Sequence, residues 1–476
     1  MESLINWLNS IIWSPALVYL CLGTGLYFSI RTRFLQVRHF GLMLRLLFGG
    51  KSSARGVSSF QAFSLAVSGR VGTGNIAGVA TAIAMGGPGA VFWMWVIAFL
   101  GAGSAFVEAT LAQIYKEEIR GQYRGGPAYY IERGLQMRWY AMTFAVATVL
   151  ATGFFLPGVQ ANSIGSAMHH AFAIPPVVTG AAVVLLMGLI IFGGIKRIGR
   201  AAQFLVPIMG TGYVAVAAVV VLLHLREVPE IFGLIVRSAF GGDAAFGGIV
   251  GLAVSWGVKR GIYSNEAGQG TAPMAAAAAE VKHPAEQGLV QAFSVYFDTW
   301  LVCSATAFMI LLTGKYNVGR PGGGFIIENL PGVAAGPGFT QAAVDSVFPG
   351  IGSAFVAIAL FFFAFTTLLA YYYYAETNLA YLRRQALSPA WLNVLRLLFL
   401  GVLFYGTARS AELAWAMGDI GVGLMAWLNI VAILILQKPA LVALRDYEQQ
   451  KRQGIDPVFD PDALGIRNAD LWRRRE

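Results

Sequence analysis

SFQAFSLAVSGRVGTGNIAGVATAIAMGGPGAVFWMW, residues 59–95, is apolar enough to cross a bilayer, yet it is interrupted at its middle. Gly69, Gly72 and Gly74 fall within six residues, with Arg70, Thr73 and Asn75 among them. Polar backbone at membrane depth is tolerated only where it lines a cavity or is covered by protein. Glycine lets the chain leave the helix and lets a ligand come close. An opened helix exposes N–H and C=O groups that can hold a carboxylate and a small cation. The stretch therefore reads as half of a solute site.

A second stretch supplies the other half. Gly268-Gln269-Gly270-Thr271 aligns with Gly72-Thr73-Gly74-Asn75, and the two continue as APMAAAAAE and IAGVATAIA. Thirteen residues after Asn75 comes Pro88, and thirteen after Thr271 comes Pro284; each proline opens a new apolar segment. Paired interruptions in two halves of a chain point to a binding site between them. Small residues also recur wherever membrane helices pack closely, so the bare repeat admits that second explanation.

Of the 476 residues 57% are hydrophobic and 12% charged, against about 25% charged in a soluble protein. The chain reads as all-α and polytopic. Its net charge of +10 does not form a basic face for nucleic acid. It collects between apolar segments, as a topology signal does. Cys21 and Cys303 lie in apolar runs and read as buried small hydrophobes without a disulfide. No basic segment precedes the first apolar stretch, so no cleavable signal peptide is expected.

Eleven apolar stretches can be placed: about 11–30, 57–84, 90–115, 140–164, 177–194, 201–223, 246–279, 288–312, 351–382, 391–407 and 411–436. Alternate connections are basic. Those at 31–55, 116–138, 196–200, 282, 383–384 and 438–476 hold 25 Lys/Arg; the others hold five, Arg226, Arg237, Lys315, Arg320 and Arg409. That alternation puts the N-terminus outside and the C-terminus in the cytoplasm of a plasma (cell inner) membrane protein. One stretch followed by two sets of five accounts for eleven. A unit of five ends on the side opposite its start, so its copy enters inverted, with the glycine-rich break in the first helix of each. The expected parts are an N-terminal helix with its basic connection (1–55), a first five-helix repeat (56–225), an inverted second repeat (226–438) and a cytoplasmic tail (439–476). Residues 315–345 read as a plain Gly/Pro-rich external loop, with a gate lid as the alternative, and the tail as solvated polypeptide touching anionic lipid at most. Trp7, Trp13, Trp139 and Trp391 stand near stretch ends, as interfacial anchors do.

Five motifs are more specific than hydropathy: GTGNIAGVATAIAMGGPGAVFWMW (72–95), GGPAYYIERG (125–134), LPGVQANSIG (156–165), WGVKRGIYSNEAGQGTAP (256–273) and FAFTTLLAYYYYAETNLAYL (363–382). Together they resemble the alanine or glycine:cation symporter family, over about residues 15–440. The resemblance implies a leucine-transporter-like fold and symport of a small neutral amino acid with Na⁺ across the lipid bilayer. With the repeat, it implies that Gly72, Thr73, Gly74 and Asn75 bind the carboxylate through their amides. Gly268, Gln269, Gly270 and Thr271 would face them and accept from the ammonium, with Gln160 and Asn162 as further lining. It also implies a Na⁺ held by the hydroxyls of Thr366 and Thr367 and the backbone carbonyls of Ser68, Val71 and Phe363. Threonine hydroxyls can instead bond back to carbonyls one turn earlier. Tyr371 shares a helix face with Thr367. The family commonly has Trp there, and the smaller Tyr opens the size limit toward a serine-like side chain.

Charges within membrane stretches are functional suspects. Arg70 and Glu266 each stand two residues before a Gly-x-Gly and are expected to approach each other or share a gate network. Asp298 and Glu108 could titrate, and Lys259 with Arg260 could form an outer charge network; structural ion pairing is the alternative for all of them. The rival functions are an H⁺-coupled carrier of the same fold, a channel, and an intramembrane enzyme. Against an enzyme, no HExxH or nucleophile motif lies within a stretch.

Overall fold

The computed structural model describes residues 2–49, 52–53, 55–384, 388–408 and 410–473. Lys51, Arg409, Arg474 and Arg475 of the charge pattern lie outside the described residues. Among those described, eight helices are long and apolar enough to cross a membrane: Ser3–Arg31, Gly89–Ile114, Arg138–Phe172, Arg197–Leu223, Pro284–Leu312, Gly352–Arg383, Pro389–Thr407 and Ala411–Ile435. They occupy eight of the eleven apolar stretches. The remaining three are Pro176–Ile191, a 16-residue helix, and the two glycine-interrupted segments.

Both interruptions have local causes. Helix Ser59–Arg70 starts at a capping box, with Ser58 Oγ accepting from the Gln61 amide at 3.2 Å and Gln61 Oε1 accepting from the Ser58 amide at 3.1 Å. It stops at Val71, whose ψ of 90° is extended. The chain resumes as a wide π-helical turn, Gly74–Gly78, and then helix Val79–Gly86. The second segment runs as helix Val250–Asn265, opens, and resumes as Ala272–Ala277. Three residues in its gap are left-handed: Glu266 (φ +54°), Gly268 (+79°) and Gly270 (+90°). Two of the three are glycines, for which that conformation carries no steric cost.

The segments meet at one end. Val57 donates to the Ala278 carbonyl and Glu280 to the Val57 carbonyl, both at 2.9 Å. The start of the first interrupted segment is thus tied to the finish of the second.

Three expectations are corrected. Residues 315–345 are built structure: strands Asn317–Gly319 and Phe325–Glu328 pair, and helix Pro337–Val347 buries Phe339, Ala343 and Val344. Gln341 anchors that helix by donating to the carbonyls of Ala167 and Ser353, both at 3.2 Å. The tail is not solvated polypeptide either. Helix Gln437–Arg452 buries Leu441, Leu444 and Tyr447, and Phe459, Ile466, Ala469 and Trp472 join the core. Trp472 donates its ring N–H to the Gln113 carbonyl at 2.9 Å. Apolar residues spaced through a polar sequence gave no periodic signal, because the segment beyond 454 packs with a single helical turn, Asp470–Arg473. Finally, Trp13 is no interfacial anchor: it is buried and donates to the Asp419 carbonyl at 2.8 Å, whereas Trp7, Trp139 and Trp391 are exposed.

One tail contact is pH-sensitive. His283 Nδ1 accepts from the Ala285 amide at 3.1 Å, which leaves the proton on Nε2 to donate to Asp446 at 3.1 Å. The ring is therefore neutral, and burial holds its pKa below the ordinary 6.5. Unfolded His283 takes a proton near pH 6.5 while the folded ring resists it. The contact is thus fully stabilising above about pH 6.5 and is lost as pH falls through the lowered folded value. Asp446, held low by the same hydrogen bond, has the same sign. Protection factors of residues 454–473, hydrogen-exchange rates corrected for their intrinsic pH dependence, should fall between pH 7 and pH 5, and His283→Gln should flatten that dependence.

Candidate solute and cation site

The first interruption is wrapped by side chains from three helices. The Gly72 amide donates to Asn75 Oδ1 at 2.8 Å and the Thr73 amide to Gln160 Oε1 at 3.1 Å. A side-chain methyl at Gly72 would stand 2.3 Å from Thr367 Oγ1 and 3.1 Å from Gln160 Oε1. Only glycine fits. Gly72, Thr73, Asn75, Gln160 and Thr367 are thus brought together as expected, and all are buried. Tyr371 is buried beside them, in electrostatic contact with Gln160, Tyr263 and Glu266.

A carboxylate joins this interruption to its neighbours. Asp298 sits on a π-helical turn, Phe297–Cys303, a deformation that often marks functional positions. Asp298 Oδ1 accepts from Asn75 Nδ2 at 2.7 Å and from Ser264 Oγ at 3.1 Å; Oδ2 accepts from Thr299 at 2.7 Å. Cys303 lies 3.3 Å from Asn75 Nδ2.

The second interruption is held by a different carboxylate. The Gly268 amide donates to Glu108 Oε1 at 3.2 Å; Asn429 donates to Glu108 Oε2 at 2.8 Å and to the Gly268 carbonyl at 2.9 Å. Tyr130 in turn donates to Asn429 Oδ1. The neighbours of Gly268 and Gly270 are Ser104, Ile430, Pro127, Phe144 and Asn429. The residues that touch the first interruption come earlier: Tyr263 and Ser264 pack on Gly74, and Glu266 on Gly69. The facing surface is therefore shifted toward 263–266 from the expected 268–271.

The expected cation ligands divide. Thr367 Oγ1 lies 3.4 Å from the Val71 carbonyl and 3.0 Å from the Phe363 carbonyl. Those three oxygens face the opened helix, and hard oxygens suit a small hard ion. Thr366 instead points to Met209 Sδ at 3.7 Å while donating to Phe363 at 3.0 Å. Ser68 donates to Leu65 at 2.7 Å. All three hydroxyls bond back within their helices, which leaves their lone pairs available.

Arg70 and Glu266 form no ion pair. Arg70 donates to the Gln291 carbonyl at 3.2 Å and to Ser294 Oγ, and it interacts through space with Glu108, Glu266 and Asp298. The shared network is present; the direct pair is not. Around it lie buried polar atoms with no hydrogen bond among the described residues: Thr73 Oγ1, the Gln269 amide and Tyr374 Oη. Each costs about 1–3 kcal/mol. Buried polar groups are normally hydrogen-bonded, so these atoms are open to water or to a polar solute.

Further out, Asp419 accepts from Arg260 at 2.8 and 3.0 Å and pairs with Lys259 at 2.7 Å. Arg260 lies over the Trp415 ring at 4.5 Å. Sequence reading flagged both cations and missed Asp419 and Asn429. Each is a polar residue within an apolar stretch, a signal that was there to be used. Asp419→Ala would bury two cations without a counter-charge. A loss of about 3–5 kcal/mol is expected, read as a lowered unfolding temperature of the purified protein.

The family model of the sodium:alanine symporters matches residues 1–461. YrbD of Bacillus subtilis is 62% identical over 474 residues, 100% of this chain and 98% of YrbD. A sodium/proton-dependent alanine carrier protein of Bacillus sp. (strain PS3) is 54% identical over 431 residues, 90% of this chain and 97% of that carrier. A solved mutant of an Eremococcus coleocola manganese transporter superposes with a TM-score of 0.54 at 14% identity, over 86% of this chain and 90% of its own, a likeness of fold alone. Match and identity run along nearly the whole chain, which therefore belongs to the sodium:alanine symporter family.

Proposed function

We propose that this multi-pass membrane protein is a secondary active carrier that moves alanine, or another neutral amino acid as small, together with Na⁺ by alternating access. The observation that carries the reading is the opened helix at Val71–Asn75, with two amides and a row of oxygens converging in a fully buried space. Gln160 Oε1 and Asn75 Oδ1 now stand where the oxygens of a bound carboxylate would accept from Thr73 and Gly72. On binding, the substrate carboxylate exchanges with them. The ammonium is received by the buried carboxylate of Glu266 and by carbonyls of 263–271. Na⁺ sits between the Val71 and Phe363 carbonyls and Thr367 Oγ1. The buried packing of Gly72, Gln160 and Tyr371 limits the side chain to a methyl or hydroxymethyl.

The architecture behind this reading is eleven crossings: one helix, then five and five inverted, of the leucine-transporter type. The Val57–Ala279 tie supports it: the six stretches from 57–84 to 246–279 lie between those two ends, and an even number of crossings returns the chain to the same face. Units of 56–225 and 226–438 follow. The charge alternation favours an outward N-terminus in the cell inner membrane.

H⁺ coupling is the second reading. Three buried carboxylates, Glu108, Glu266 and Asp298, supply proton acceptors, and the strain PS3 relative carries both cations in its name. In proteoliposomes at fixed pH, an inward Na⁺ gradient should drive alanine accumulation several-fold above a K⁺ control. Accumulation driven only by a pH gradient would exchange the two readings. Gly72→Ala should cut uptake more than about tenfold, the equivalent of an overpacking cost of roughly 1–3 kcal/mol. Gly23→Ala, with open space around it, should leave uptake unchanged.

A further inference from the structure

The first span ends in a strained turn. Arg33 and Phe34 are both left-handed, with φ of +55° and +52°, a conformation that costs a non-glycine residue roughly 1–2 kcal/mol. The turn is held by Arg38, which donates to the Arg33 carbonyl at 2.7 Å and the Thr32 carbonyl at 2.9 Å. It sets Arg31, Arg33 and Arg38 along one wall of a cavity of about 360 Å³. The opposite wall is helix Gln437–Arg452, which brings Arg445 and Arg452. Tyr27 fixes the two walls together by donating to Gln437 at 2.8 Å.

Five guanidinium groups thus border one hollow. Among the described residues lining it, Glu448 is the single carboxylate, and it is engaged with Arg38 at 2.9 Å and His39 at 2.8 Å. No ion pair among the described residues engages Arg31, Arg33, Arg445 or Arg452. Like charges gathered without counter-charge repel one another, so the arrangement is completed by an anion. The hollow also has an apolar border. Leu441 and Leu444 line it. At the same turn begins an apolar groove of about 470 Å³, walled by Val37, Phe40, Phe99, Phe293 and Trp300.

We propose that the arginine hollow binds the phosphate of an anionic phospholipid, with an acyl chain along the neighbouring groove. Guanidinium forks match phosphate oxygens bidentately. Basic pockets between membrane helices are where anionic headgroups are held. The apolar border selects a lipid over a soluble phosphate. Bound there, the lipid pins helix Gln437–Arg452, and with it the folded tail, to the first span.

The test uses the full chain in nanodiscs of phosphatidylcholine with and without phosphatidylglycerol. Phosphatidylglycerol should raise the unfolding temperature and stay attached in native mass spectrometry. Arg445→Gln with Arg452→Gln should weaken its retention by about fivefold for each arginine removed, and Lys282→Gln, at a different basic connection, should not. Equal retention by the double variant and the parent would overturn the proposal. So would equal stabilisation by inorganic phosphate in phosphatidylcholine alone, which would make the site one for soluble phosphate. If the double variant does not fold, Arg452→Gln alone, at the exposed end of its helix, should show the smaller shift in the same direction; no shift counts against the lipid.

Discussion

A helix opened inside a membrane must have its backbone groups met by something other than water. That constraint organises this molecule. At Val71–Asn75 and Glu266–Gly270 the chain gives up its own hydrogen bonds, and the surrounding helices are arranged to replace them. Asn75 and Gln160 take the freed amides of the first opening. Glu108 and Asn429 take the freed groups of the second. Once these partners are fixed, the positions of three of the long helices, Gly89–Ile114, Arg138–Phe172 and Ala411–Ile435, are fixed with them.

The replacements follow a crossed pattern. Glu108 is on Gly89–Ile114, the helix that directly follows the first opened segment, and it serves the second opening. Asp298 is on Pro284–Leu312, which directly follows the second opened segment, and it grips Asn75 of the first. Each opened helix is thus held by a carboxylate from the helix next to the other one. A movement that separates the two segments must break one of these carboxylate contacts or carry the intact helix along. The two halves are coupled by hydrogen bonds at membrane depth, in addition to the backbone tie at Val57 and Ala279.

Much of this was legible in the sequence, and what was missed was missed for physical reasons. The openings themselves were plain, because glycine clusters with polar neighbours have no cheap alternative explanation within an apolar run. Gln160, Thr367 and Tyr371 followed from helix periodicity and family resemblance. The facing surface at 263–266 was not legible: left-handed turns at Glu266, Gly268 and Gly270 rotate the chain, and no rule of spacing predicts how far. Trp13 was misread because a tryptophan near a helix end looks the same whether it meets lipid or a buried aspartate. The tail was misread because composition reports average polarity, whereas Phe459 and Trp472, thirteen residues apart in a polar segment, pack edge to face on each other.

The charges around the site also bear on why a cation is needed. Arg70 is in through-space contact with Glu108, Glu266 and Asp298. If all three carboxyls are ionised, the buried cluster lacks two positive charges. An uncompensated charge in a low-dielectric interior is costly enough that something must neutralise it. A zwitterionic amino acid brings none on balance; it can satisfy Glu266 with its ammonium only by placing its own carboxylate on the Gly72 and Thr73 amides. The balance has to arrive as a separate cation, whether a metal ion beside Val71 and Thr367 or protons on the carboxyls. On the proposed site, a coupled cation and the charge of the buried acids would offset each other.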